Sequence, residues 1–325
     1  MPMMPQHRIL VTGANGFVGR WLMPALQDAA GDEPLELYGC GRGPGCDIAL
    51  DIRDEATVVR VLRELHPTAI IHLAAIADPQ EARRDPVTAW NVNFTATVNL
   101  ARATLSEVPD CRFIYAGSSE TYGQTFAETK GEAVTEGAAL RPLTVYGATK
   151  AAADIALGRM YRDGLRSIRF RPFNHAGPGQ TAAYVLPAFA SQIARIEQGL
   201  SEPVIEVGNL SAYRDFLDVR DVVRAYALAA LGKVTGVEGQ VFNLSSGRAV
   251  QIGTILDILI RLSGRRIEVA VSQERLRPVD IPLARGNAER AFQVFGWTPR
   301  FPVEETIAAV LADWRQRVSA SRSES

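Results

Sequence analysis

Ser118, Tyr146 and Lys150 are the residues of this chain whose types and spacing best suit chemistry at a carbonyl or alcohol carbon. A free phenol titrates near pH 10 and is a poor acid–base catalyst at neutral pH, but a nearby ammonium group stabilises the phenolate. Tyr146 opens an alanine-rich stretch, running to about Tyr161, with good helix propensity. Residues four apart share one helix face about 6 Å apart along the axis, so Tyr146 and Lys150 are expected to point the same way. Ser118, at the end of an apolar run from Arg112 to Ala116, is placed to hydrogen-bond a substrate oxygen and fix its distance from the phenol. A tyrosine and a lysine four apart also occur on ordinary solvated helix faces, so the pair gains meaning only from what precedes it.

What precedes it is a glycine turn. Ile9, Leu10 and Val11 form a short strand. The segment Gly13, Ala14, Asn15, Gly16, Phe17, Val18 and Gly19 then leads into a helix expected from Val18 to Ala29. A strand, a glycine turn and a helix N-terminus direct backbone N–H groups and the positive end of the helix dipole at a pyrophosphate. The glycines are spaced three and three, not two and three as in the usual dinucleotide fingerprint, and a tight turn alone can demand them. With a dinucleotide there, Lys150 would also hold the nicotinamide ribose.

The second strand, Leu35 to Cys40, ends where a ribose-binding acid belongs, about 20 residues past the turn. Arg42 stands there instead, which favours a 2′-phosphate and hence NADP(H), with NAD(H) the second choice; the alternative is a solvated loop charge. Asp51, beside Ile52, is a candidate for the adenine amine, and Asp54 for the cap of a helix from Glu55 to Leu65. The run from Ala69 through Leu73, Ala74 and Ala75 reads as a buried strand ending in small residues, which lets a flat cofactor approach the backbone. His72 within it reads as a core histidine. The strand ending at Ala116 delivers Ser118, Ser119 and Glu120 to the carboxyl edge of a parallel sheet, where ligands sit.

These segments together resemble the nucleotide-sugar branch of the extended short-chain dehydrogenase/reductase superfamily. The resemblance spans nearly the whole chain: GANGFVG, HLAA, Asn91-Val92-Asn93, GSSETYG, YGATK, and Arg171-Pro172-Phe173-Asn174 running on to Gln180. It continues through Val207-Gly208-Asn209-Leu210 and RDFLDV. The later motifs are similar to those of the GDP-4-keto-6-deoxy-mannose reductases, which form GDP-rhamnose. The resemblance implies that Ser118, Tyr146 and Lys150 are catalytic and that Pro172 and Phe173 lie against the nicotinamide. It implies that Asn93 positions the lysine through a water, unless it is an ordinary helix asparagine. Substrate contacts are implied for Ser119, Asn174, Val207, Gly208 and Asn209, with Arg214 and Arg277 on the pyrophosphate of a GDP-sugar. Local pairing, of Arg214 with Asp215 or Asp218 and of Arg277 with Asp280, is the plainer alternative, and His175 is balanced between substrate loop and structural hydrogen bond. In related 4,6-dehydratases a glutamate at the place of Glu120 removes a proton, so Glu120 keeps a dehydratase or epimerase in play. A non-catalytic NAD(P) sensor is the remote third case, since such relatives lose the tyrosine or lysine. Phe94 departs from the family pattern, standing where many relatives have glycine.

The fold class implied is α/β, a doubly wound parallel Rossmann sheet with a smaller C-terminal α/β substrate-binding domain. Residues 1–172, with 217–248 and about 281–290 returning, are assigned to the nucleotide domain, and 173–216 and 249–325 to the other. At 325 residues the chain is long enough for two lobes around a large core. Its net charge of −1, with mixed signs throughout, offers no basic stripe for nucleic acid. No apolar run approaches the roughly 20 residues that cross a bilayer. The start lacks the features of a signal peptide, and three cysteines without metal spacing point to a cytoplasmic protein with no metal. The helices from Phe94 to Leu105 and from Tyr146 to Tyr161 carry alanine-rich faces. Relatives use these faces for a homodimeric four-helix bundle, and intramolecular packing explains the alanines nearly as well.

Overall fold

The computed structural model describes residues 7–275 and 281–323. The chain begins β1 (His7–Thr12), α1 (Phe17–Ala30), β2 (Leu35–Gly41), β3 (Ile48–Ala49), α2 (Glu55–Leu65), β4 (Ala69–His72), α3 (Pro79–Arg84) and α4 (Pro86–Trp90). A π-helical turn (Asn91–Ala96) runs into α5 (Thr97–Glu107), followed by β5 (Arg112–Ala116), α6 (Thr125–Glu128), α7 (Val145–Met160) and β6 (Arg166–Pro172). Then come β7 (Asn174–Ala176), α8 (Val185–Glu197), β8 (Val204–Val207), β9 (Tyr213–Asp218), α9 (Val219–Ala230), β10 (Val241–Leu244) and β11 (Ala249–Gln251). The last elements are α10 (Ile252–Ser263), β12 (Glu268–Val271), β13 (Leu283–Ala284), α11 (Glu289–Phe295) and α12 (Val303–Ser323).

Seven strands form one parallel sheet in the order β10-β6-β5-β4-β1-β2-β3. Strands covered on both faces read as continuous apolar runs, and Ala69, Ile70 and Ile71 of β4 are fully enclosed. On one face Leu22 and Leu26 of α1 meet Val222 and Tyr226 of α9, with Phe295 and Trp297 closing the layer. On the other, Val58 and Leu62 of α2 pack with Leu100 of α5 and Leu157 of α7. Local signals set the helix starts: Asp54 accepts from the Thr57 N–H at 3.1 Å to cap α2, and Thr144 accepts from the Gly147 N–H at 2.9 Å to cap α7. The chain therefore has the parallel Rossmann-type sheet expected from its alternating elements.

The second lobe has its own core. Leu186, Phe189 and Ile193 of α8 pack with Ile255 and Leu259 of α10 and Ile307 and Leu311 of α12. Beside it, β9 pairs with β7, β11 and β13, while β8 and β12 form a separate parallel pair. Within residues 281–290, β13 joins β9 in the small sheet, while Ala288 packs against the large sheet's core ahead of Ala291 and Phe295 of α11.

One buried cluster ties helix α7 to the sheet. Asp154 of α7 accepts from Arg169 Nη1 at 2.9 Å, and from Arg171 Nε at 2.9 Å and Nη2 at 3.0 Å. Arg171 Nη1 also donates to the Tyr122 hydroxyl at 3.0 Å, and that hydroxyl donates to Asn243 Oδ1 at 2.7 Å. Removing one partner from a buried pair leaves uncompensated charge, at a cost of about 3–5 kcal/mol. Asp154→Ala should therefore lower unfolding free energy by about that amount, measured by urea denaturation. A loss below about 1 kcal/mol would show that the arginines reach solvent instead.

Candidate active site

The carboxyl ends of β1, β4, β5 and β6 open onto a cavity of about 930 Å³ that runs on between the two lobes. At its first end lies the glycine turn. Gly13 has φ +72°, and a Cβ there would sit 2.9 Å from the backbone nitrogen of Ala74, so both conformation and the close approach of β4 require glycine. A Cβ on Gly19 would fall 2.3 Å from the Ala14 carbonyl oxygen, inside the packing of the turn itself. Helix α1 starts at Gly16 with no side-chain cap and no acidic residue in its first turn, leaving N–H groups for an anion. Asn15, Phe17 and Val18 line this end of the cavity, with Leu73, Ala74, Ala75 and Ala116 beyond them.

Arg42, exposed on the loop after β2, lines the same end, as do Asp51 and Ile52. Asp51 is engaged by its neighbour Arg53, whose Nη2 lies 2.6 Å from Oδ2, and that pairing holds the carboxyl down at about 2. A contact from Asp51 to an adenine amine would therefore share a carboxylate that already carries a guanidinium. His72 lies outside the cavity, hydrogen-bonded to Thr12 Oγ1 at 2.7 Å and Thr97 Oγ1 at 2.8 Å, and burial pulls it down to about 3.

Ser118, Tyr146 and Lys150 come together midway along the cavity, with Ser119 and Glu120. The Ser118 hydroxyl accepts from the Glu120 N–H at 3.1 Å, and Thr144 Oγ1 lies 3.4 Å from Glu120 Oε2. Electrostatics here differ from the simple picture of an ammonium lowering a phenol. Burial pushes Tyr146 well above its usual value, the Ser118 hydroxyl works against that rise, and Tyr184 and Glu120 add to it. Lys150 is itself pulled down to about 7 by burial; its ammonium donates to the Ala116 carbonyl at 2.8 Å and lies 5.0 Å from the centre of the Tyr115 ring. Desolvation is thus the largest influence on both groups.

The other sequence-derived candidates scatter. Asn93 is buried away from the cavity. Its Oδ1 accepts from the Ile76 N–H at 2.8 Å, and its Nδ2 donates to the Ile76 carbonyl at 3.0 Å and to Thr149 Oγ1 at 3.1 Å. Through Thr149 it clamps the turn that carries Tyr146 and Lys150. Pro172, Phe173, Asn174 and His175 line the cavity, but the Phe173 ring turns into a cluster with Tyr122 and Phe126. His175 Nδ1 donates to the Phe173 carbonyl at 3.0 Å, which fixes the ring's tautomer, and the ring stacks on Phe17 with centroids 6.3 Å apart. Val207 is fully enclosed in the second lobe's core, because in β8 it alternates with the outward Glu206; it offers no side chain to a substrate. Gly208, Asn209 and Arg214 line the far end. Arg214 Nη1 donates to the Tyr213 and Ile281 carbonyls at 2.8 and 2.6 Å, while Asp215 receives Ser246, Gly247 and Gly286 and Asp218 receives Arg220. Arg277 lies outside the described residues.

Tyr184, Gln180 and Arg275 also line the cavity, beyond the residues that the sequence marks as candidates. Gln180 ends the Arg171-to-Gln180 motif, where a polar side chain in a glycine-rich loop is a signal for a ligand; Tyr184 precedes an apolar helix and reads as a packing residue.

The residues fit a dinucleotide, by the uncapped start of α1, the Gly13 approach and a buried unpaired acceptor on Gln180. Among the described residues no group of His, Cys, Asp and Glu is arranged to hold a metal, and no helix is long and apolar enough to cross a membrane.

Residues 9–245 match the model of the NAD dependent epimerase/dehydratase family. The chain belongs to that family. It is 34% identical over 313 residues to the GDP-6-deoxy-D-mannose reductase of Pseudomonas aeruginosa, covering 96% of this chain and 98% of the relative. It is 27% identical over 296 residues to the GDP-6-deoxy-D-talose 4-dehydrogenase of Aggregatibacter actinomycetemcomitans, covering 90% and 93%. The structure of RMD from Pseudomonas aeruginosa complexed with NADPH superposes with a TM-score of 0.84 at 33% identity, covering 96% and 99%.

Lys150 gives this site a measurable pH signature. Between about pH 7 and its ordinary value of 10.5, the unfolded chain binds a proton on this lysine that the folded chain lacks, so stability rises with pH across that window. Lys150→Met removes the effect. The ligand-free variant should melt higher than wild type at pH 7, with the gap closing as pH approaches 10. A gap independent of pH in thermal melts would show that the ammonium is not desolvated.

Proposed function

We propose that this protein uses NADPH to reduce the C4 ketone of a GDP-linked 4-keto-6-deoxyhexose, giving a GDP-rhamnose-type product. The observation that carries this reading is the meeting of Ser118, Tyr146 and Lys150 in a cavity continuous with the glycine turn. The long similarity to the GDP-6-deoxy-D-mannose reductase favours a GDP-sugar, and the NADPH complex of the similar structure, with Arg42 beside the turn, favours NADPH.

A bound reduced nicotinamide supplies the hydride for the ketone carbon. Tyr146 gives its proton to the carbonyl oxygen as charge develops there, and its raised value in the closed site keeps it protonated until then. Ser118 donates to the same oxygen. Lys150 is positioned to hold the nicotinamide ribose and to stabilise the phenolate left behind. Arg214 provides a cation for the sugar-nucleotide pyrophosphate at the far end.

Glu120 supports a second reading. It lines the cavity beside Ser118, where a carboxylate is placed to remove a proton from a sugar carbon, as a dehydratase requires. The two readings separate cleanly. Incubation with GDP-4-keto-6-deoxy-mannose and NADPH should consume the reduced cofactor and yield a 6-deoxyhexose. Conversion of GDP-mannose with no added reductant would select the dehydratase. Tyr146→Phe should lower turnover by at least a hundredfold while leaving NADPH affinity within about twofold, and unchanged turnover would remove the phenol from the mechanism.

We also place the protein in the cytoplasm as a homodimer. Its three cysteines are unpaired. Ile155 on α7 is 61% exposed, and Val87 and Trp90 on α4 are exposed beside the same helix layer, which suits a bundle of α5 and α7 with a partner's pair. Ile155→Asp should yield monomers by light scattering; a variant still dimeric at micromolar concentration would place the interface elsewhere.

A further inference from the structure

Gln180 carries a buried acceptor that no described residue uses. The side chain is 5% exposed and lines the cavity, yet among the described residues Oε1 has no hydrogen-bond partner. Its orientation is fixed by the rest of the amide: Nε2 donates to the His175 carbonyl at 3.3 Å, and turning the amide over would set oxygen against oxygen. A buried acceptor left unpaired costs free energy, so native structures seldom retain one without a water or ligand to fill it.

The surroundings point to what fills it. His175 stacks on Phe17, the first residue of α1, and a Cβ built on Gly179 would lie 3.9 Å from the same ring. Trp21 Nε1 donates to the Pro178 carbonyl at 2.9 Å, and Asp313 accepts from the Gly179 N–H at 3.0 Å, so this loop is pinned directly over the glycine turn. The Gln180 carbonyl is held in turn by Arg317 Nη1 at 3.2 Å. Gln180 therefore looks from the second lobe into the part of the cavity that the glycine turn shapes. Pyrophosphate oxygens carry no proton to give, which leaves the proton-bearing groups attached beyond them.

We propose that Gln180 is a cofactor-binding residue whose side-chain oxygen accepts a hydrogen bond from the nicotinamide nucleoside, through a ribose hydroxyl or the carboxamide amine. This rests on the dinucleotide part of the proposed function. The contact joins the cofactor to the pinned loop from Gly177 to Gln180.

The test is a pair of titrations on the full-length protein, with NADPH followed by its fluorescence and GDP by calorimetry. Wild type that fails to bind NADPH at all overturns the dinucleotide reading and this inference with it. Where wild type binds, Gln180→Met should raise the NADPH dissociation constant about tenfold, the effect of one buried hydrogen bond, and leave that for GDP within about twofold. Unchanged NADPH affinity, or a loss confined to GDP, overturns the proposal. Should both weaken, the ratio decides: an NADPH loss at least about fivefold beyond the GDP loss upholds the contact, and equal losses overturn it.

Discussion

The arrangement depends on a buried carboxylate with two guanidinium partners. Asp154 lies one helical turn beyond Lys150, and its two oxygens hold Arg169 and Arg171 of β6. Helix α7 is thereby fixed along its axis against the sheet, and with it the height at which Tyr146 and Lys150 stand over the strand ends. Arg171 continues the chain to Tyr122, four residues past Ser118, and Tyr122 continues it to Asn243 of β10. Four segments, α7, β6, the turn at Tyr122 and β10, are therefore joined by one hydrogen-bonded chain, charge-assisted wherever an arginine takes part.

Around that fixed frame the site is made of opposed tendencies. Burial favours the neutral form of both Tyr146 and Lys150, which keeps the proton on the phenol and works against the ammonium beside it. The Ala116 carbonyl opposes the second effect by accepting from Lys150 at 2.8 Å.

Much of this was legible in the sequence because the relevant signals are local. The apolar run from Ala69 to Ile71, the Asp54 cap and the glycine at position 13 each report a constraint set within a few residues. The Tyr146–Lys150 pair is legible for the same reason, since helical spacing alone puts both on one face. What stayed hidden depends on distant chain segments. Val207 sits in a motif that reads as ligand-binding, yet strand alternation turns it inward. Arg53 takes Asp51 through side-chain geometry that no pattern encodes. The free oxygen of Gln180 follows from where the His175 carbonyl happens to fall.

The π-helical turn at Asn91–Ala96 carries a consequence for how this site can change. One extra residue in a helix shifts the phase of everything after it by about 100°. Deleting a single residue there would make the backbone more regular and would swing the Asn93 amide off Ile76 and Thr149 together, or else rotate α5 out of its seat on α2. A locally favourable edit is thus globally forbidden. The irregularity is held in place by the parts on either side of it, and the length of this stretch is fixed by both.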